Sequence, residues 1–492
     1  MRLISLPILL GFIFQILGNR SLALDLHLHS DSSADSAKII VAAGWNMITL
    51  PLFVADPRIS TVFPSAISQA FYYDGSYQRT NTLKINVGYW LKFASPETIT
   101  VTGTKQHLGV CTLAPGWNLI GGNSYSTPIS QLMLSPSGST RSRLWTVGQN
   151  GEYLIPDTII PGRSYWVKSM GVTSLALAHW EFVGLQGKAV TSIVSHPKNP
   201  NTLYCGTGSD FSAGQLGGVF KTTDGGASWD TLVIGGSYSD MAIDEAHPET
   251  LYAVSGSILM TPDGGTTWQT RTDSIYLNPE TRVQALAIDP ANSSTMYAGT
   301  TGFYGGNFYK STNAGISWNS LASREDSLLE GISSIAIDPQ HNSTLYVGLG
   351  IIGDMLKSND AGNTWSYSGF DGFGQLINDI IINPKETQRL IAALSYYGFV
   401  ETNDGGSNWR WFNDGIPSPV YGRRVIIDDS TENIYSVADS GIYMRMLGDP
   451  YWLRIGVPQY STIFGYSGFA FNASHQFLFV GSLAGVYRLQ LP

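Results

Sequence analysis

Short apolar runs, split by Gly, Pro, Asn and Asp, fill the second half of the chain and repeat in a fixed phase. Seven segments carry an apolar strand that stops at Asp, Asn or His: SIVSHP (192–197), MAIDEAHP (241–248), LAIDP (286–290), SIAIDP (334–339), IIINP (380–384), VIIDD (425–429) and FAFNA (469–473). The stopping residues, His196, Asp244, Asp289, Asp338, Asn383, Asp428 and Asn472, lie 48, 45, 49, 45, 45 and 44 residues apart. A second apolar strand follows each, beginning at Leu203, Leu251, Met296, Leu345, Leu390, Ile434 and Leu478. Strands this short cannot bury a face alone, and a period of this length is that of a four-stranded propeller blade. Seven blades are therefore expected. The chain stops at Pro492, before the seventh could make a fourth strand, and 179–185 (HWEFVGL) is expected to supply it and close the ring.

Five units also carry the pattern Ser/Thr-x-Asp/Asn-x-Gly-x-x-Trp: 222–229, 261–268, 311–318, 358–365 and 402–409. Its third and eighth positions are Asp224 and Trp229, Asp263 and Trp268, Asn313 and Trp318, Asp360 and Trp365, and Asp404 and Trp409. The hydroxyl and the Asp or Asn suit bonds to nearby backbone N–H groups, Gly at position five tolerates positive φ, and Trp anchors the next strand. Cation or glycan sites on these turns would need one ligand at five separate points of a rim. Turns that staple each blade are the expectation.

Residues 178–492 resemble the BNR or Asp-box superfamily of β-propellers. That group includes sialidases, xyloglucan-active glycosyl hydrolases, the sortilin ectodomain and the photosystem II stability/assembly factor family. Seven units look more like the assembly-factor group, or one half of a double-propeller xyloglucanase, than like a six-bladed sialidase. A sialidase clamps a carboxylate with three arginines and has an Arg-Ile-Pro segment before its first box. Here the nearest string is Arg454-Ile455-Gly456, after the last box.

Residues 38–177 repeat a different pattern in copies at about 38–107 and 108–177. AGWNMITLPL, AFYYDGSYQ and VGYWLKF answer to PGWNLIGG, RLWTVGQNGEYL and PGRSYWVK, with Trp45 to Trp117 spanning 72 residues and Trp90 to Trp166 spanning 76. Alternation in the YW segments predicts a small β-sandwich or pseudo-twofold barrel. A similar GWN…GYW pattern occurs in exported bacterial surface proteins. The fold class is thus all-β: a seven-bladed propeller behind a duplicated β module. The aromatics Trp45, Tyr77, Trp90, Trp117, Trp145, Tyr153 and Trp166 could stack sugar rings, but positions shared by both copies read first as scaffold.

Residues 1–23, with an early Arg2, an apolar run and a Ser-Leu-Ala ending, are built like a secretory signal peptide, and polar residues 24–37 read as a disordered lead. Export to the periplasm, surface or medium is expected, with no membrane span after signal removal. The formal charge is −9, and loss of Arg2 and Arg20 deepens it by two. Nucleic acid and anionic membranes are poor partners for such a chain. Cys111 and Cys205, the two cysteines present, sit in apolar strands and read as core residues.

No metal-ligand spacing, Ser/His/Asp order or phosphate loop appears, so neither metal nor cofactor is expected. The loops of one propeller face are rich in Tyr, Phe and Gly. The expected function is a non-catalytic binding or assembly scaffold for a protein or polysaccharide, with Tyr304, Phe373, Tyr397 and Tyr421 on that face and Arg282, Arg324, Arg423 and Arg424 as anchors for acidic groups. The alternative is a polysaccharide hydrolase with two of Asp210, Asp326 and Asp371 flanking a cleft.

Overall fold

A computed structural model describes residues 34–492, apart from 133, 137–138, 140, 149–150, 210–215, 276, 278–280, 303–305, 322–330, 351–352, 370–375, 419, 457–467 and 492. Seven four-stranded antiparallel sheets lie between residues 181 and 490. Their first strands, Val190–Ser195, Asp240–Ile243, Thr281–Ile288, Ile332–Ile337, Ile377–Ile382, Gly422–Ile427 and Phe469–Phe471, neighbour one another in order, and the seventh returns to the first. The chain is an all-β propeller of seven blades. Blade 7 borrows its fourth strand, Glu181–Phe182, which pairs with Gly485–Gln490 as the sequence predicts.

Each predicted stopping residue caps the turn between strands one and two. Asp338 Oδ1 accepts from the N–H groups of Gln340 and His341 at 2.8 and 3.0 Å, and Asn383 Oδ1 accepts likewise from Lys385 and Glu386. His196 does the same with imidazole: its Nδ1 accepts from the Lys198 and Asn199 N–H groups, both at 3.1 Å. These turns also tie blade to blade. Asn342 Nδ2 of blade 4 donates to Asp289 of blade 3, His475 of blade 7 meets Asp428 of blade 6, and Asn472 Nδ2 of blade 7 reaches the Pro200 carbonyl of blade 1.

His475 Nδ1 lies 3.0 Å from Asp428 Oδ1 and 3.4 Å from Asp429 Oδ1, and the Asp428 bond holds its pKa above 6.5. Asp428 is held below 3.8, its hydrogen bonds outweighing burial. A raised imidazole pKa stabilises the fold below the unfolded value and loses that effect as pH rises through the folded one; the depressed carboxyl loses its effect as pH falls. The pair therefore contributes most between about pH 4 and 6.5. We expect His475→Gln to lower the melting temperature at pH 5.5 and to change it little at pH 9, and equal losses at both would contradict this assignment.

The five Asp/Asn turns share one bonding scheme. In the first, Gly226 N–H donates to Thr222 Oγ1 at 2.9 Å, the Thr222 hydroxyl donates to Asp224 Oδ1 at 2.8 Å, and Ser228 N–H donates to the same Oδ1 at 2.9 Å. The Ser228 bonds lead in pulling Asp224 down to about 2. Position five has positive φ throughout, and position four does too, even where it is Ala314 or Ala361. The turns also serve as sockets for the preceding blade. Lys221, Lys310 and Lys357 each lie over a strand-two tyrosine and donate to the next turn's carbonyl, at Gly264, Ala361 and Gly405. Arg488 of blade 7 does so to Gly225 of blade 1.

Three of the five turn tryptophans bond to the blade before them, while Trp268 and Trp365 donate to their own turns at Gly265 and Gly362. Trp318 Nε1 donates to the Arg271 carbonyl, Trp409 to Ser368, and Trp229 to Val183. Each acceptor lies three residues beyond the preceding blade's Trp. Blades 6 and 7 keep the device without the turn motif: Trp452 Nε1 donates to the Phe412 carbonyl and Trp180 Nε1 to Ile455.

In residues 35–178 the outer strands of each copy pair with one another, Asp35–Val41 with Glu97–Gly103 and Leu108–Leu113 with Thr173–Ala178. The GWN strands pair with the YW strands, Gly44–Ile48 with Tyr89–Phe93 and Gly116–Gly121 with Ser164–Ser169. The copies join reciprocally: Ile48 bridges Arg163 and Val87 bridges Ile120, which are equivalent positions exchanged. GWN is shared because Asn46 and Asn118 each clip the tight entry to their strand, donating to Ala42 and Gly44 or to Ala114 and Gly116. Leu108 and Ala176 pack into the core formed by Leu453, Ile455 and their neighbours in blades 6 and 7.

Candidate functional site

The loops joining strands two and three, and those leading into the next blade's first strand, meet on one face of the propeller. Tyr396 and Tyr397 occupy the two-to-three loop of blade 5, between Leu390–Leu394 and Gly398–Thr402. Both are exposed, as are Leu376 and Trp411. The Tyr396 and Tyr421 rings meet edge to face at 5.1 Å, and Tyr397 meets Trp411 at 5.8 Å. Asn413 Nδ2 donates to the Tyr397 carbonyl at 2.6 Å, fixing the loop that carries the pair. Rings held this way present a large contact area at low entropic cost on binding.

Of the arginines expected as anchors, Arg282 is exposed at the head of blade 3's first strand. Arg423 is bonded to Asp439 of its own blade at 2.7 Å, so an acidic partner would have to displace that carboxylate. Arg424 is not on the loop face. It follows a β-bulge that turns the start of blade 6's first strand, and its guanidinium lies 3.5 Å from Asp379 of blade 5 and 4.0 Å from Asp240 of blade 2. Blades 2 and 6 are not neighbours in the ring, so this side chain crosses the propeller axis.

Asp240 and Asp379 also bind the next blade's backbone, accepting from Leu286 N–H at 3.2 Å and Val425 N–H at 3.0 Å. Burial raises both carboxyl pKa values despite the Arg424 charge. Burial works against the charge of Arg424, but the two carboxylates outweigh it and hold its pKa up. The sequence signal for this triad is registral. Ser192, Asp240, Ala285, Ser334, Asp379, Arg424 and Gly468 all stand four places before the stopping residue, and three of the seven are charged.

Tyr304, Phe373, Arg324 and the hydrolase candidates Asp210, Asp326 and Asp371 lie outside the described residues. Among the described residues, Asp428, Asp429 and His475 set ligand atoms within 4.8 Å of one another, in the ion pair already described. Both cysteines are buried and free, and burial pushes the Cys111 thiol up to about 12, far from a nucleophile's range. In the N-terminal module, Trp90, Trp117 and Trp145 pack around the buried Trp166, while Trp45, Tyr77 and Tyr153 stay about half exposed. No helix of the described residues is long and apolar enough to cross a membrane.

No family model matches the chain, and no curated protein sequence matches it. Among solved structures, an ancestral GH74 enzyme is 16% identical at a TM-score of 0.49, the match covering 63% of this chain and 45% of that one. The GH74 xyloglucanase from Xanthomonas campestris is 14% identical at 0.45, with 62% and 60% covered. YCF48 from Cyanidioschyzon merolae is 17% identical at 0.45, with 64% and 99% covered. The chain thus spans less than half the length of the first of these enzymes.

Proposed function

We propose that this chain is an exported, non-catalytic binding scaffold of the Asp-box propeller superfamily, whose loop face binds a protein or a glycan. The observation that carries this reading is the aromatic group at the head of blades 5 and 6, in which exposed Tyr396, Tyr397 and Trp411 are held in place by ring contacts that include the half-buried Tyr421. Arg282 adds an exposed charge to the face. A solved structure of YCF48 holds a D1 peptide; the present reading stands on the aromatic surface, not on that likeness. The leader-like sequence of residues 1–23 supports the export in this proposal. A hydrolase working through Asp210, Asp326 or Asp371 is the alternative, favoured only by the loop position of those acids in the sequence.

The test is a panel of plant and bacterial polysaccharides, scored for retention of the chain and for release of reducing ends, together with photo-crosslinking from position 397 in the native host. We expect no release, and either retention or one dominant crosslinked protein that weakens at least about tenfold in the Tyr397→Ala/Trp411→Ala double variant. Reducing ends that vanish in Asp210→Asn, Asp326→Asn or Asp371→Asn would establish the hydrolase instead. Binding indifferent to the double variant would remove the loop face from consideration.

A further inference from the structure

A cleft of about 960 Å³ opens between the second copy of the N-terminal module, the outer strand of blade 6 (Leu453–Gly456) and the closing strand of blade 7. That is the size of a ligand pocket, at a junction of modules where such pockets are common. One wall is hydroxyl and amide, from Ser130 and Gln131 in the single turn Ile129–Gln131. The other is aromatic: His179, Trp180 and Phe182. Trp180 is fixed by its indole N–H on the Ile455 carbonyl at 3.0 Å, while Phe182 is 46% exposed and set edge-on to Tyr487 at 5.3 Å. Arg454 lines the cleft, and among the described lining residues there is no carboxylate.

The residues behind the aromatic wall keep it flat and uncharged. Tyr125 stacks on His179 with ring centroids 3.7 Å apart and planes within 4°, and its hydroxyl lies 2.7 Å from Nε2 of His107. Burial lowers the pKa of both imidazoles, His107 to about 4, so both are neutral at neutral pH. Glu181, the acid of this segment, is neutralised by Arg488 at 2.8 Å.

We propose that this cleft binds a short saccharide chain bearing a carboxylate. Sugar rings would stack on Trp180 and Phe182, hydroxyls would bond to Ser130 and Gln131, and the carboxylate would meet Arg454. A peptide adding as a strand is a poorer fit, because Trp180 already takes the Ile455 carbonyl. The site shares no residue with the loop face, so the two readings fail separately.

Calorimetric titration of the chain with oligomers of galacturonic, glucuronic and mannuronic acid, with cellohexaose as the neutral control, tests this. At least one acidic oligomer is expected to bind, about tenfold more weakly in Arg454→Gln and in Phe182→Ala, and unchanged in Tyr397→Ala. Gln131→Trp, on an exposed turn, fills the cleft without altering any residue of blade 7 and is expected to block binding even if Phe182→Ala fails to fold. No binding by any acidic oligomer, equal binding of cellohexaose, or binding indifferent to both Arg454→Gln and Gln131→Trp would overturn the proposal.

Discussion

Replacing Arg424 by methionine will lower the stability of the propeller by about 3 kcal/mol, because it strands two carboxylates in the ring's interior. The usual cost of removing one partner of a buried ion pair is about 3–5 kcal/mol, and the lower end applies here since Arg424 keeps 28% of its side chain accessible to water. The effect carries a pH signature. Burial already raises Asp240 and Asp379, so their neutral forms favour folding below the unfolded value of 3.8, and that preference is lost as pH rises through the folded values. Without the guanidinium the folded values climb further, so the deficit of the variant should be largest at neutral pH and shrink on acidification. Adding Asp240→Asn and Asp379→Asn to the variant should restore most of the loss at pH 7. Denaturant titrations of the three proteins at pH 7 and pH 5 give the answer, and a pH-independent deficit would mean that Arg424 acts by packing alone.

Trp452→Ala is expected to cost about 3–5 kcal/mol, the range for emptying a buried aromatic site. Trp452 is fully buried, packs on Phe399 and Phe412 at 5.5 and 5.3 Å, and donates its indole N–H to the Phe412 carbonyl at 2.5 Å. Its own carbonyl accepts from the Ser135 hydroxyl of the N-terminal module. The change therefore removes the wedge between blades 5 and 6 and loosens the module's seat on blade 6. Trp411→Ala, at a half-exposed position one blade back, should change stability by less than about 0.5 kcal/mol and serves as the control. Comparable melting temperatures for the two variants would refute the wedge assignment.

The parts of this fold that can be read from the sequence are those whose chemistry is local. A turn residue whose side chain accepts backbone N–H must recur at each blade, and even His196 betrays itself by position, because an imidazole nitrogen accepts as a carboxylate does. The seventh blade's missing strand is also legible, since 179–185 repeats a Trp followed by apolar residues. Trp452 is harder to see, because blade 6 lacks the Asp turn that flags its sisters. What survives there is a bond to the preceding blade, which no local pattern reports. The axial triad is hidden for the same reason: Asp240, Asp379 and Arg424 are separated by 139 and 45 residues and meet only once the ring exists. Arg424 in isolation reads as a loop cation. The aromatic loop face was visible as composition, whereas the pairing of Tyr397 with Trp411 joins the two-to-three loop of blade 5 to its fourth strand, Arg410–Trp411.

The borrowed strand at Glu181–Phe182 has a consequence for how such a ring could change its size. Because blade 7 is built from both sides of the propeller's sequence, a unit appended after residue 490 would meet a sheet whose edge is already taken. A gained or lost blade must instead be inserted or excised between complete neighbours, with its tryptophan wedge and the acceptor three residues beyond the previous one kept in step. Duplication within the array conserves that coupling, and extension at its end breaks it. Engineered six- and eight-unit versions should therefore be cut from the middle of the repeat, leaving residues 179–185 and 469–490 together as a fixed clasp.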